Sequence, residues 1–228
     1  SIRTDAAHGK PGQWLLDPND ILITDFLGSP PIDPNFNVGP DFTSTGDSAV
    51  IYSQNITSAL NSGNNVTITT ATQPGDIGLG DVTFSGANII ANPSKAVTLK
   101  VDAQGSIFLY GSTIQSNGKP LNLNLSAAGS GLGSIRLVAS TIDTRGGNIT
   151  LGGPSATFCG VNECVNDFAG AIAVTDGSSR LAGVEIVDSM LDAGSGSIRI
   201  TGAAGQGLTF YEDYPIGITI GSGSSLSA

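Results

Sequence analysis

Charge is what this sequence has least of. Only 12% of its 228 residues are Asp, Glu, Lys or Arg, about half the usual share of a soluble chain. Nine basic residues stand against 19 acidic ones, a net charge of −10, and no Lys/Arg cluster occurs. Phosphate backbones need a basic surface, so nucleic acid is not an expected partner. The acidity reads instead as repulsion that keeps soluble copies apart. No run of 18 apolar residues occurs, which predicts no membrane insertion, and the first residues carry no signal-peptide pattern. Long helical periodicity is never spelled.

Reactive side chains are nearly as scarce. His8, the single His, sits in AAHGKPG, where a solvent-exposed or junction role is expected. A Ser-His-Asp arrangement would have this one candidate base. Cys159 and Cys164 are the two cysteines. Their spacing is not C-x-x-C, and further metal ligands are missing around them. The calcium-binding nonapeptide and the leucine-rich phrase L-x-x-L-x-L-x-x-N are both absent. No catalytic residue, no metal and no cofactor are expected.

What the chain does have is repetition. In GSIRLVASTIDTRGGNITLGG, Gly133 to Gly153, Ile135 and Leu137 alternate with polar neighbours. Ile142 follows alone, then a Gly146-Gly147 turn, then Ile149 and Leu151. That is a strand, a bend, one inward residue, a turn and a second strand. The phrase recurs at Gly105 to Leu125, shifted by 28 without a gap, and at Ala182 to Gly202, shifted by 49. The larger shift equals about two shorter periods, so one coil is expected to intervene. A fourth copy, Gly80 to Val101, fits after a slip of one residue in its turn. Apolar spacing persists while polar positions change, as in units that bury their inner residues on one another. The 32 Gly suit tight turns between short strands.

In chain order, Gly12 to Thr24, GQWLLDPNDILIT, predicts two strands with Trp14, Leu16, Ile21 and Ile23 inward, joined by the Asp17-Pro18-Asn19-Asp20 corner. Residues 26–48 hold four prolines without alternation and predict a loop insertion. Ala49 to Thr70 returns to repeat grammar with Ile56, Leu60, Val66 and Ile68 inward and at most a brief helical turn at Ser58-Ala59-Leu60. Residues 154–170 are a second loop insertion, and Thr209 to Pro215 is a smaller excursion carrying Tyr211 and Tyr214. Residues 1–228 thus read as a single all-β segment of roughly seven to nine coils, and coils of this length fit a three-sided parallel β-solenoid. SIRTD at Ser1 and GITIGSGSSLSA at Gly217 look like cut repeats, which implies a piece of a larger protein.

The assembled phrases resemble the filamentous haemagglutinin family, the large exoproteins of bacterial two-partner secretion. The resemblance is carried by GQWLLDPNDILI at Gly12, ITSALNSGNNVTITT at Ile56, GDIGLGDVTF at Gly75 and STIDTRGGNITL at Ser140. It implies a right-handed parallel β-helix, secretion through an outer-membrane transporter to the bacterial cell surface, and a role in adhesion or toxin display. The expected partner is a host or bacterial cell-surface receptor or glycan. Alternatives are a pure stalk for a distal toxin or tip, or a carbohydrate-active β-helix with an acidic site.

Secretion favours a disulfide between Cys159 and Cys164, worth about 2 kcal/mol for so small a loop. The tied insert then offers Phe158, Val161, Asn162, Glu163, Val165 and Phe168 as partner-contact candidates. Tyr211 and Tyr214 join them from the smaller excursion. For the enzymatic alternative the candidates are Asp143 and Asp192, at the same repeat position, with Asp188 nearby in sequence; turn chemistry explains the same acids. Asn55, Asn65, Asn124 and Asn148 stand in Asn-x-Ser/Thr phrases, which the family resemblance permits to carry sugar.

Overall fold

The computed structural model describes residues 13–16, 20–25, 48–70, 80–127, 133–152, 155–159, 164–169, 171–172, 182–203 and 216–228. For 13–16, 48, 155–159, 164–169, 171–172, 182, 203 and 216 the backbone alone is described. The fold is mostly β, with parallel sheets and one helix among the described residues.

Alternating inward apolar residues make short strands, and these fall into three sheets. Sheet 1 runs, in spatial order, Ser48–Tyr52, Asp20–Thr24, Val82–Ser85, Ile107–Tyr110, Ile135–Val138, Ala182–Val187 and Ile216–Ile220. Sheet 2 runs Asn88–Ala91, Thr113–Ser116, Thr141–Asp143, Met190–Asp192 and Ser225–Ser227. Sheet 3 runs Gln13–Leu16, Asn65–Thr69, Val97–Asp102, Leu121–Ser126, Ile149–Gly152 and Ile198–Ile200. From Val82 onward the chain visits sheets 1, 2 and 3 in rotation, and each strand pairs in parallel with its counterpart one circuit later.

The stacking puts like residues in columns. Val82, Ile107, Ile135 and Val184 follow one another in sheet 1, and Ile89, Ile114, Ile142 and Leu191 in sheet 2. All eight are at most 0% exposed, so one apolar core runs between the sheets. Ile21, Ile23, Ile56, Leu60, Val66 and Ile68 belong to it, as their spacing predicts. Trp14 and Leu16 lie in a strand paired to Asn65–Thr69, but their side chains fall outside the described residues. So do the corner at 17–19 and the insertion at 26–47.

Between sheets 1 and 2 each circuit turns on one residue of positive φ: Gly86, Gly111, Ala139 and Asp188. A small buried residue follows each corner, namely Ala87, Ser112, Ser140 and Ser189. The serines form a ladder. Ser112 N–H donates to Ser140 Oγ at 3.2 Å, and Ser140 N–H donates to Ser189 Oγ at 3.0 Å. Corner amides that no strand can pair are thereby satisfied inside the stack.

Three features depart from the sequence expectations. First, Ile149 pairs with Leu123, not Leu121, so the copies at Gly105 and Gly133 differ by two residues before their last strand. Second, the brief turn at Ser58 is a full helix, Ser53–Asn61, which buries Ile56, Ala59 and Leu60 and packs beside Asn88–Ala91. Apolar residues at i, i+3 and i+4 give it one inward face, and Gly63, at φ 78, closes it by donating to Leu60 O. Third, no coil separates the repeat at Gly133 from the one at Ala182. Ile135 pairs directly with Val184 and Ile142 with Leu191, so the shift of 49 is one circuit lengthened by an insertion.

Candidate functional site

That insertion is not a plain loop. Ser155–Cys159 and Cys164–Ala169 form an antiparallel hairpin, with a register irregularity between Ala156 and Thr157. Among the described strand pairs it is the one antiparallel pair; all others are parallel. Ala171–Ile172 then pairs in parallel with Gly202–Ala203 at the foot of the insert.

Cys159 stands directly opposite Cys164 across the hairpin. Opposed residues of antiparallel strands have Cα atoms about 4.5–5.5 Å apart, inside the usual disulfide span of about 4.4–6.8 Å. The backbone therefore allows the expected bridge without movement. The side chains of Cys159, Cys164, Phe158, Val165 and Phe168 lie outside the described residues. So do Val161, Asn162 and Glu163, Tyr211 and Tyr214, and His8.

The acids are better defined. Asp143 sits in register with Gln115 on one side and Asp192 on the other. The two Asp thus occupy neighbouring strands, about 4.8 Å apart along the stack. Each is already engaged as a turn acceptor. Asp143 Oδ1 accepts Arg145 N–H at 3.1 Å, and Asp192 Oδ1 accepts Gly194 N–H at 2.8 Å. Arg145 itself holds positive φ, 49°, and donates from its guanidinium to Asn117 O at 2.6 Å. Asp188 is exposed on the preceding corner. Among the described residues no group of three or more His, Cys, Asp or Glu is placed to hold a metal ion.

Other half-buried acids tie neighbouring segments together. Asp20 Oδ1 accepts the N–H groups of Gly80 and Asp81, at 2.9 and 2.8 Å. Asp81 Oδ1 in turn accepts Ser106 N–H at 2.6 Å. Burial raises the Asp81 pKa, the Ser106 hydrogen bond works against that rise, and the nearby Asp20 charge adds to it. Asp25 clasps two elements, the helix and the strand Asn88–Ala91: Ser53 Oγ donates to its carboxylate, as do the N–H and Nδ2 of Asn88. Burial opposes its ionisation, but these hydrogen bonds together hold its pKa below the ordinary value. The sequence signal for Asp25 and Asp81 is weak, a lone Asp beside a strand end.

The Asn-x-Ser/Thr positions differ in availability. Asn55 is exposed on the helix. Asn65 accepts Thr98 N–H at 2.9 Å, and Asn148 accepts both the N–H and the hydroxyl of Ser197 at 3.0 Å. Asn124 points outward, half-buried, from Leu121–Ser126.

Sequence reasoning also missed an aromatic pair on the outer face of sheet 1. Phe108 and Tyr110 alternate with the buried Ile107 and Leu109. Their rings lie parallel within 7°, centroids 5.9 Å apart. The available signal was IFLY, four apolar residues in a row where the repeat calls for alternation.

No protein-family model matches the chain, and comparison with curated proteins finds no match. The functional reading therefore rests on the phrases, the sheet topology and the surface chemistry.

Proposed function

We propose that the chain is a right-handed parallel β-helix belonging to a secreted bacterial adhesin of the filamentous haemagglutinin type, and that it attaches to a host or bacterial surface. Rotation of the chain through three parallel sheets supports the winding, since crossovers between parallel strands are right-handed in about 98% of cases. The observation that carries the adhesive role is the hairpin Ser155–Ala169, an antiparallel insert in an otherwise parallel array. Insertions of stacked-repeat proteins sit outside the coil, where they alter binding without disturbing the core. Tied by Cys159–Cys164, the hairpin loses less entropy on binding than a free loop. Its contact candidates are Phe158, Val161, Asn162, Glu163, Val165 and Phe168. Export through an outer-membrane transporter belongs to the same reading.

The test is surface attachment by three proteins: the intact chain, a variant lacking residues 155–169, and Cys159→Ser/Cys164→Ser. All three are expected to melt cooperatively, with attachment reduced in the second and weakened in the third. Equal attachment by all three, while folded, would sink the contact role.

One observation favours a second reading. Asp143 and Asp192 lie on neighbouring strands, close enough for the paired carboxylates of a glycosidase at about 5–10 Å. Their turn hydrogen bonds favour a structural duty. Release of reducing or unsaturated ends from a polysaccharide panel, abolished by Asp143→Asn, would establish the enzyme instead.

A further inference from the structure

The outer face of sheet 1 carries side chains that the core does not use. Ile107 and Leu109 point inward and are 0% exposed, while Phe108 is half-buried and Tyr110 is 37% exposed on the opposite face. The register places Thr83 and Arg136 on either side of Phe108, and Ser85 and Val138 on either side of Tyr110. Beyond Arg136 comes Glu185, and the two form an ion pair, Arg136 Nε to Glu185 Oε2 at 2.7 Å.

We propose that Phe108 and Tyr110 form a stacking platform for a ring of a neutral glycan. Arg136 and Glu185 supply hydrogen-bonding groups along one side of it, and the Thr83 and Ser85 hydroxyls do so along the other. An aromatic face is electron-rich, so it attracts the weakly positive C–H face of a sugar ring, whose hydroxyls then project sideways. Here the sideways neighbours are hydroxyls, a guanidinium and a carboxylate, one strand spacing of about 4.8 Å or two away.

Size and charge select the occupant. A stable protein interface needs about 1,200–2,000 Å² in all. On this face the nearest other exposed large apolar residue in the Phe108 column is Leu22, beyond Thr83. Polar residues thus flank Phe108 on both neighbouring strands, Thr83 and Arg136, which suits a sugar ring better than the broad apolar centre of a protein interface. An anionic glycan would meet a chain of net charge −10, and Arg136 is already neutralised by Glu185. A neutral sugar meets neither objection.

The platform deepens the attachment reading by naming a class of surface molecule. It uses residues outside the hairpin and is tested without cells. The probes are cellotetraose, N,N′-diacetylchitobiose and lactose, with 3′-sialyllactose and a heparin tetrasaccharide as anionic comparators. Ring resonances of the intact chain are followed by NMR during titration. At least one neutral probe should shift the Phe108 and Tyr110 signals saturably, with Kd on the order of 1–10 mM for so open a site. Tyr110→Ala should weaken that binding about tenfold, as loss of one aromatic contact does. Arg136→Met should weaken it while leaving the rings and the melting transition in place.

The proposal fails if no neutral probe shifts the rings, if Tyr110→Ala binds as wild type does, or if only the anionic probes bind. Attachment that survives Tyr110→Ala while sugar binding vanishes would leave the hairpin reading in force. Sugar binding that persists when hairpin removal abolishes attachment would show two separate contacts.

Discussion

At the scale of single residues, the stack is governed by places where one coil's backbone touches the next. Gly147 is the sharpest case, because a Cβ there would overlap the Leu121 carbonyl of the neighbouring circuit. Gly196 repeats the arrangement one circuit on, against the Gly147 carbonyl. Gly147→Ala must push two coils apart, and overpacking of this kind costs about 1–3 kcal/mol. A melting temperature unchanged in Gly147→Ala would mean that the close approach is absent in solution. Gly111 differs: its added Cβ would meet nothing within 4 Å, and its φ of 55° favours glycine without requiring it, since Ala139 and Asp188 hold the same corner at φ 50° and 47°. Asp25 sets a pH dependence. Its folded pKa lies below its ordinary value, so its stabilisation is present above the unfolded pKa and is lost as pH falls through the folded one. Below about pH 4 the wild type should therefore lose stability more steeply than Asp25→Asn. Asp81 acts with the opposite sign, since its raised pKa makes protonation favour the fold. Parallel acid-melting curves for wild type and Asp25→Asn would remove Asp25 from this role.

At the scale of elements, strand identity and facing were legible in the sequence, while register was legible only modulo two. Inward residues such as Ile135, Ile142 and Ile149 were readable because apolar alternation is itself the cause of burial. The slip that pairs Ile149 with Leu123 was not, since moving a strand by two residues leaves every side chain on its original face. The helix Ser53–Asn61 was hidden by similar ambiguity: NITSAL serves a short strand as well as one helical turn, and its seat over Asn88–Ala91 decides for helix. Asp143 and Asp192 became neighbours only once the hairpin was recognised as an insert within one circuit. The platform at Phe108 was within reach of the sequence, because outward apolar residues are the ones a core does not explain. Ile142→Asp tests the columns directly. It places an unpaired charge between Ile114 and Leu191, a cost that neutralisation or misfolding must relieve. Loss of the cooperative thermal transition is expected, and an unaltered transition would contradict the shared core.

At the scale of the whole molecule, every claim of function depends on how the circuits wind and what separates them. A parallel stack presents the outward rows of sheets 1, 2 and 3 as long ordered surfaces, and the hairpin enters the chain between Ile149–Gly152 and Ala182–Val187 without breaking the pairing of any of the three. The attachment reading needs that insert outside the stack, and the glycan platform needs Phe108, Arg136 and Glu185 on successive strands. An experimentally phased crystal structure of the 228-residue chain tests this most directly. The account predicts right-handed winding, Asp143 beside Asp192 with no coil between them, and the 155–169 hairpin standing off the stack with Cys159 bonded to Cys164. Left-handed winding, an intervening coil, or the hairpin threaded into one of the three sheets would contradict it.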